Sequence, residues 1–224
     1  MQELIRVAVD AMGGDNAPAE IVKGAVEALK ASTDLKVILV GQEEAVQQEL
    51  SKYQYDASRM EVVNATEIIE MAEPPVQAIR SKKDSSIVVA MKLVKNGEAD
   101  AFVGAGSTGA VLVGGQLIVG RLKGVERPPL APLLPTEKGA SLLIDCGANV
   151  DARPSHLVQF AKMGSIYMEN VMGVKNPRVA IVNIGAEEEK GNALVKETFP
   201  LLKACQDINF IGSIEARDIP SGYA

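Results

Sequence analysis

The chain has 224 residues, of which 47% are hydrophobic and 23% are charged, and its formal net charge is −6. This length supports a sizeable buried core, and the acidic balance argues against a nucleic-acid binder that works through its overall field. Two cysteines are too few for a disulfide framework, and the sequence shows neither a signal-peptide core nor a membrane-spanning apolar run, so we expect a soluble cytoplasmic protein.

Strand-like and helix-like patterns alternate along the first part of the chain. β-rich runs predict strands, and apolar residues at helical spacing predict the helices between them. In chain order these are strand 4–9, a helix opened by Pro18, strand 35–40, helix 43–50, strand 60–63, a short helix after Pro74 and Pro75, and helix 87–95.

A glycine-rich stretch over 104–109 connects a short apolar strand at 101–103 to an apolar helix at about 110–119. Such a turn leaves backbone N–H groups unpaired at the positive end of the helix dipole, which predicts an anion site, most often for phosphate. The alternative is a turn that only lets strand and helix pack closely. The spacing also satisfies the dinucleotide pattern G-x-G-x-x-G, but the expected ribose-binding acid falls in a proline-rich segment, 127–132.

The second part of the chain begins with an irregular, proline-rich segment over 120–139, which we interpret as an insert or an antiparallel hairpin. Further alternating elements follow it. They are strand 141–144, a helix from Pro154 to about residue 173, strand 178–183, helix 193–204 and strand 208–211.

This alternation predicts one α/β domain over 1–224, built on a mostly parallel sheet with helices on both faces. Ligands of such sheets bind outside the carboxyl ends of the strands. Polar loops follow predicted strand ends at 10–16, 104–109, 145–151 and 185–192. We therefore expect these loops to share one edge of the molecule.

Six segments in this order resemble the bacterial phosphate acyltransferase family PlsX. They are VDAMGGDNAP (9–18), GAGSTGA (104–110), RPPLAPLLPT (127–136), DCGANVDARP (145–154), EEEKGNAL (187–194) and NFIGSIEARD (209–218). The resemblance implies transfer of a fatty acyl group from acyl carrier protein to inorganic phosphate, for phospholipid synthesis. It also implies a Rossmann-like α/β/α sandwich similar to isocitrate and isopropylmalate dehydrogenases and to phosphate acetyltransferases.

The resemblance further implies a homodimer, a loose association with the membrane surface and no cofactor. Family chains are longer, so this chain corresponds to a member shortened at its C-terminus. Phosphate is itself the nucleophile in this reaction, and no serine or cysteine intermediate is required. We predict that Gly106, Ser107, Thr108 and Gly109 hold it through backbone N–H and hydroxyl donors.

Asp10, Asp145, Asn149 and Lys190 are the candidates for catalysis. Asn149 would add a neutral donor, and Lys190 would add a compensating charge. The alternatives are that Asn149 braces its own loop and that Lys190 is a solvated loop lysine. Aspartates without partners would repel phosphate, so their useful roles are to orient donors, to cap helices or to accept a proton. For each aspartate, bracing its own loop is the alternative.

Two larger sets complete the predicted site. The substrate loops contribute Gly13, Gly14, Asp15, Asn16, Asp151 and Asn192. The basic residues that would receive the acidic carrier protein are Arg80, Lys82, Lys83, Arg121, Lys123 and Arg127. A solvated face is the alternative for each of these cations.

Two other functions compete with acyl transfer. A nicotinamide-dependent dehydrogenase would share the fold, but the ribose-binding acid is missing from the pattern. A non-catalytic scaffold that binds carrier protein or partner enzymes is the second. We predict no metal site, and we interpret Cys146 and His156 as a strand-end residue and a first-turn or surface residue rather than a catalytic pair.

Overall fold

The computed structural model describes residues 4–224. Within that range the chain divides into two compact units, of which the first ends at Arg121 and the second runs from Leu122 to Ala224. The expectation of a single domain over 1–224 with an excursion over 120–139 stays a prediction. No helix in the described residues is both long and apolar enough to cross a membrane.

The first unit alternates between strands and helices, as the sequence pattern predicts. Its elements are β1 (Ile5–Asp10), α1 (Ala19–Ala31), β2 (Leu35–Gly41), α2 (Glu43–Leu50), β3 (Met60–Asn64), α3 (Pro75–Ser81), α4 (Ser86–Lys95), β4 (Ala101–Val103) and α5 (Thr108–Gly114). Helical geometry continues beyond α5 as a π-helical turn over Gly115–Val119. The helix predicted over about 110–119 thus begins two residues earlier and changes its winding after Gly114.

The four strands of this unit form one parallel sheet in the order β3-β2-β1-β4. Alternate residues of β2 enter different cores, since successive side chains point to opposite faces. Val37 and Leu39 pack in the cluster of α1 and α2, whereas Ile38 and Val40 pack with Ala90 of α4. Helices therefore cover both faces of the sheet, as predicted.

The second unit contains a hairpin and a parallel strand pair. Its elements are β5 (Leu133–Thr136), β6 (Gly139–Leu142), α6 (Pro154–Asn170), β7 (Arg178–Asn183), α7 (Ala193–Ala204) and β8 (Asn209–Glu215). β7 and β8 pair in parallel. α6 and α7 pack on this pair through a cluster of Ala161, Ile181, Phe199 and Leu202.

The strand predicted over 141–144 is corrected by the structure. β6 begins at Gly139 and pairs antiparallel with β5, not within a parallel sheet. The reason is the two-residue turn at Glu137 and Lys138, which returns the chain directly onto β5 and is followed by Gly139 at a φ of 125°. The apolar pattern identified a strand here, but it carried no information about the strand's partner.

Candidate functional site

The loops that follow β1 and β4 touch each other at the carboxyl edge of the first sheet. β1 and β4 are direct neighbours, with Val9 opposite Val103. A Cβ built on Gly13 would stand 2.3 Å from Asp10 Oδ2 and 2.9 Å from the backbone nitrogen of Gly106. A Cβ on Gly106 would stand 3.1 Å from Gly13 Cα. Only glycines allow this approach, so the two predicted loops meet backbone to backbone and form what we call the glycine wall.

Asp10 lies behind this wall and is 1% exposed. Its Oδ1 accepts the N–H of Met12 at 3.1 Å, and its carboxylate also accepts hydrogen bonds from the Gly13 backbone and the Ser86 hydroxyl. Burial raises the pKa of Asp10 above its ordinary value, and these three hydrogen bonds lower it in part. Asp10 therefore fixes the glycine wall from within. No motif in the sequence indicated Ser86 as its partner.

The 104–109 loop leads into α5 and provides its N-cap. Ser107 is the N-cap of α5, where its Oγ accepts the N–H of Ala110 at 3.3 Å, and the residue is 4% exposed. Thr108 is exposed at the first position of the helix. A Cβ on Gly109 would stand 2.6 Å from Pro75 Cγ, so this glycine lets α5 and α3 pack closely. The loop thus serves helix packing, and its binding of an anion stays a prediction.

The other loop residues predicted near this wall are more open to solvent. Asp15 and Asn16 are exposed, and the Asn16 carbonyl accepts the N–H of Glu20 at the start of α1. Gly14 has a φ of 104°, and a Cβ there would stand 3.2 Å from the Ala105 carbonyl oxygen. Gly14 therefore adds a second close approach between the two loops.

In the second unit, Asp145 and Asn149 brace their own loop. Asp145 accepts the N–H of Leu130 at 2.6 Å and the N–H of Asn149 at 2.8 Å. The Asn149 amide donates to the Pro128 carbonyl at 3.0 Å and to Asp145 Oδ2 at 3.3 Å. Both side chains are thus used to join the 145–149 loop to the segment at 128–130, and Asp151 lies exposed after it.

The 185–192 loop is likewise internally connected. Lys190 Nζ lies 2.9 Å from Glu187 Oε1 on the surface, and the hydrogen bond to Glu187 raises the pKa of Lys190. The Asn183 amide donates to the Lys190 carbonyl at 3.0 Å. Asn192 caps α7 by accepting the N–H of Val195 at 2.9 Å. Since the 145–151 and 185–192 loops belong to the second unit, their sharing an edge with the glycine wall stays a prediction.

The six predicted carrier-binding cations differ in their surroundings. Lys82 is half-buried, pairs with Glu73 and donates to the Ile68 carbonyl at 2.6 Å. Lys83 donates to the Ile79 carbonyl at 3.2 Å. The exposed members are Arg80, Lys83 and Arg121 in the first unit and Lys123 and Arg127 in the second. A docking surface made of these cations stays a prediction, with Lys82 the least available of them.

His156 occupies a more specific place than the sequence indicated. It is the third residue of α6 and is 5% exposed. Its Nδ1 accepts the N–H of Arg153 at 3.2 Å, and its Nε2 lies 3.0 Å from Glu126 Oε2. Cys146 is exposed. The contact with Glu126 had no signal in the sequence because the two residues lie on separate segments.

Comparisons with known proteins agree with the motif pattern. The family described as "Fatty acid synthesis protein" matches residues 5–224. A phosphate acyltransferase of Desulfitobacterium hafniense strain Y51 is 55% identical over 99% of this chain and 65% of its own length. One of Clostridium novyi strain NT is 52% identical over 97% of this chain and 65% of its own length. The chain thus spans slightly less than two thirds of the length of each of these relatives.

A solved structure shares the fold. The phosphotransacetylase of Streptococcus pyogenes superposes with a TM-score of 0.70 at 18% identity, over 95% of this chain and 68% of its own. At this identity the similarity concerns the fold alone. It confirms the predicted α/β class with a mostly parallel sheet, of the phosphate acetyltransferase type.

Proposed function

We propose, from the premise that this chain belongs to the family described as fatty acid synthesis protein, that it transfers a fatty acyl group from acyl carrier protein to inorganic phosphate. The motif resemblance to bacterial phosphate acyltransferases is confirmed by that match and by relatives of that name. The observation that carries the proposal is the glycine wall, where the loops of β1 and β4 meet over the buried Asp10.

Phosphate binds, in this proposal, at the N-terminal end of α5. Backbone N–H groups at Gly106, Thr108 and Gly109 supply donors, and the exposed Thr108 hydroxyl supplies one more. The Ser107 oxygen already accepts a helix N–H, so its hydroxyl hydrogen is what it offers to the anion. Donors fixed by the fold hold the phosphate in place for attack, which is the positioning contribution that such a site makes to catalysis.

The reaction needs few protein groups. A phosphate oxygen attacks the thioester carbonyl carbon, the C–S bond breaks, and the thiolate leaves and takes up a proton. The products are an acyl phosphate and the free carrier thiol. Bringing the two substrates together supplies a large part of the rate, because it converts a bimolecular step into an effectively unimolecular one.

Asp10 is, in this scheme, a positioning residue. Its burial keeps it from substrate, and it holds the N–H groups of Met12 and Gly13 in the wall. Lys190 supplies a positive charge for phosphate, its ammonium having donors beyond the one given to Glu187. Asp145 and Asn149 keep the shape of their own loop.

Partners and location follow from the proposed activity. In this proposal acidic acyl carrier protein binds the exposed cations Arg80, Lys83, Arg121, Lys123 and Arg127. We place the protein in the cytoplasm as a homodimer, with peripheral contact to the inner face of the cell membrane, where its lipid product is used.

A turnover assay tests the proposal. The chain is incubated with palmitoyl-acyl carrier protein, and phosphate-dependent loss of the acyl mass from the carrier is followed by mass spectrometry. Thr108→Val keeps the shape of the side chain and removes its hydroxyl, so the KM for phosphate is expected to rise about tenfold or more, as for a lost hydrogen bond to a charged group. The KM for the acyl carrier is expected to stay unchanged.

Thr33→Val is the matched control, because Thr33 is exposed in the turn between α1 and β2. Ser107→Ala is a poorer test, since it also removes an N-cap worth about 0.5–2 kcal/mol. Equal phosphate KM values for both threonine variants and the unmodified chain would place phosphate elsewhere. Absence of any phosphate-dependent deacylation by the unmodified chain would refute the proposed function itself.

A further inference from the structure

The short helix α3 has one buried face and one face that is open to solvent. Ala78 and Ile79 are buried in the core that α3 shares with α5. The exposed side chains recur at helical spacing on the opposite face and border a shallow groove, which begins at the residue before the helix. We call it the α3 groove, and its residues are Pro74, Val76, Gln77, Arg80 and Ser81.

The α3 groove begins beside the loop that is proposed to hold phosphate. Pro75, the first residue of α3, packs against Gly109. A Cβ built on Gly109 would stand 2.6 Å from Pro75 Cγ and 3.4 Å from Pro75 Cβ. Because a helix advances about 1.5 Å per residue, Arg80 lies only about 7.5 Å along the axis from Pro75. A molecule bound in the groove would therefore be within reach of the start of α5.

Two side chains give the α3 groove both apolar and positive character. Val76 is 48% exposed. Arg80 lies one turn further along the helix, and among the described residues its side chain makes no hydrogen bond or ion pair. Lys82, by contrast, is half-buried and paired with Glu73. An arginine with free donors next to apolar surface is typical of the residues that dominate binding at protein interfaces.

We propose that the α3 groove is the docking site for acyl carrier protein, with Val76 as the apolar anchor and Arg80 as the partner of a carrier carboxylate. This inference rests on the proposed function and sharpens it, because the exposed cations considered above are distributed over both units of the chain. The thioester must meet phosphate at the start of α5, and α3 contacts that loop through its own first residue. The carrier is acidic, so Arg80 supplies the complementary charge.

Other occupants fit the α3 groove less well. A second copy of this chain would place no thioester beside the phosphate loop. A membrane surface favours a helix with a wide apolar face, whereas the polar Gln77 and Ser81 adjoin Val76 and Arg80 here. Both occupants are outcomes that the experiments below distinguish.

Arg80→Glu tests the docking site in the turnover assay with palmitoyl-acyl carrier protein. The variant reverses the charge in the groove and leaves the donors of the phosphate loop in place. The KM for the carrier is expected to rise at least about tenfold, because a like-charge contact replaces an opposite-charge one. The KM for phosphate is expected to stay unchanged.

Lys30→Glu is the matched control. Lys30 and Arg80 are exposed cations in the last turn of α1 and of α3 respectively, so both variants change the net charge and the interaction with a helix dipole in the same way. An equal rise of the carrier KM in both variants would show that only the overall field of the chain acts on the carrier, which overturns the docking site. An unchanged carrier KM in Arg80→Glu also overturns it.

Val76→Thr tests the apolar anchor. The two side chains have the same shape and Val76 is exposed in the free chain, so Tm is expected to stay constant. The carrier KM is expected to rise about fivefold or more, because docking would bury a hydroxyl group without a partner. An unchanged carrier KM contradicts Val76 as the anchor.

Hydrogen exchange separates failure of this inference from failure of the proposed function. Unacylated acyl carrier protein is added to the unmodified chain, and amides within 76–81 are expected to exchange at least about threefold more slowly, because docking opposes local opening of α3. This result is expected even if no acyl transfer is detected. Unchanged exchange there overturns the docking site even if acyl transfer is observed. Slower exchange with phospholipid vesicles or on self-association of the chain, but not with the carrier, also overturns it.

Discussion

Gly13→Ala tests the contact between the two loops of the glycine wall. The added methyl carbon would stand 2.3 Å from Asp10 Oδ2, 2.9 Å from the Gly106 nitrogen and 3.0 Å from Asp10 Cγ. Two of these atoms belong to a buried carboxylate and the third to backbone, so neither can move away freely. The loops must separate or Asp10 must rotate out of its hydrogen bonds with Met12 and Gly13.

The expected loss of stability in Gly13→Ala follows from overpacking at one buried position. Inserting a methyl group into a packed site typically destabilises by about 1–3 kcal/mol. For a chain of this size that corresponds to a fall in Tm of about 2–12 °C. Thermal unfolding followed by circular dichroism measures it. Gly24→Ala, the same change at an open helix position, is expected to stabilise by roughly 0.5–1 kcal/mol.

A double-mutant cycle identifies the clash partner. In the Gly13→Ala background, Asp10→Ala removes the carboxylate that the methyl group meets, so it is expected to cost at least about 1 kcal/mol less than in the unmodified chain. Equal stability of Gly13→Ala and Gly24→Ala would refute the close approach of the two loops. A cycle with no coupling would show that Asp10 is not the group displaced.

Three further predictions concern single side chains. Burial raises the pKa of Asp10, so the native state holds this proton more tightly than the unfolded chain does, and the stability that Asp10 contributes falls as pH rises from the ordinary aspartate pKa through the raised value. In urea unfolding, Asp10→Asn is expected to gain stability relative to the unmodified chain as pH rises above the ordinary aspartate range, and a difference that does not change with pH would contradict this. Asp145→Ala removes the acceptor of the Asn149 N–H, so it is expected to lower the free energy of unfolding by about 1.5–3 kcal/mol and to speed hydrogen exchange of that amide. Unchanged exchange would show that the loop is held by other contacts. Lys190→Met breaks an exposed ion pair with Glu187, so Tm is expected to stay constant. The KM for phosphate is expected to rise about tenfold, because a charged hydrogen-bond donor is lost. An unchanged KM would show that Lys190 does not bind phosphate.

Local sequence signals identified most elements of the fold. α2, α7 and β7 have the bounds that the apolar pattern predicts, 43–50, 193–204 and 178–183. Each carries its own periodicity, and Asn192 provides a recognisable N-cap for α7. Such signals lie within a few residues of the element that they define, which is why a single sequence suffices for them.

The sequence did not indicate which strands pair or which distant groups a side chain contacts. The run at 141–144 indicates a strand, but only the turn at 137–138 decides that β6 pairs back onto β5. Asn149 likewise has the polarity of a ligand donor, whereas its amide donates to the Pro128 carbonyl, 21 positions earlier in the chain. Contacts between distant segments set these outcomes, and composition and periodicity do not describe such contacts.

The contact between two of the predicted site loops depends on glycines, and their binding of phosphate stays a prediction. Gly13 and Gly106 were assigned from loop patterns, and the structure explains both through one close approach. Ser86 and Glu126 were missed, because each acts through a partner on another segment, Asp10 and His156 respectively. Ordinary residues that support functional groups have no motif of their own.

Titration of the isotope-labelled chain with inorganic phosphate tests the central claim most directly. The backbone amide resonances of Gly106, Thr108 and Gly109 are expected to shift saturably with phosphate and not with chloride at equal ionic strength. The shifts are expected to require a higher phosphate concentration in Thr108→Val. No shift at these three amides, or equal shifts at exposed lysines across the surface, would contradict a phosphate site at the glycine wall.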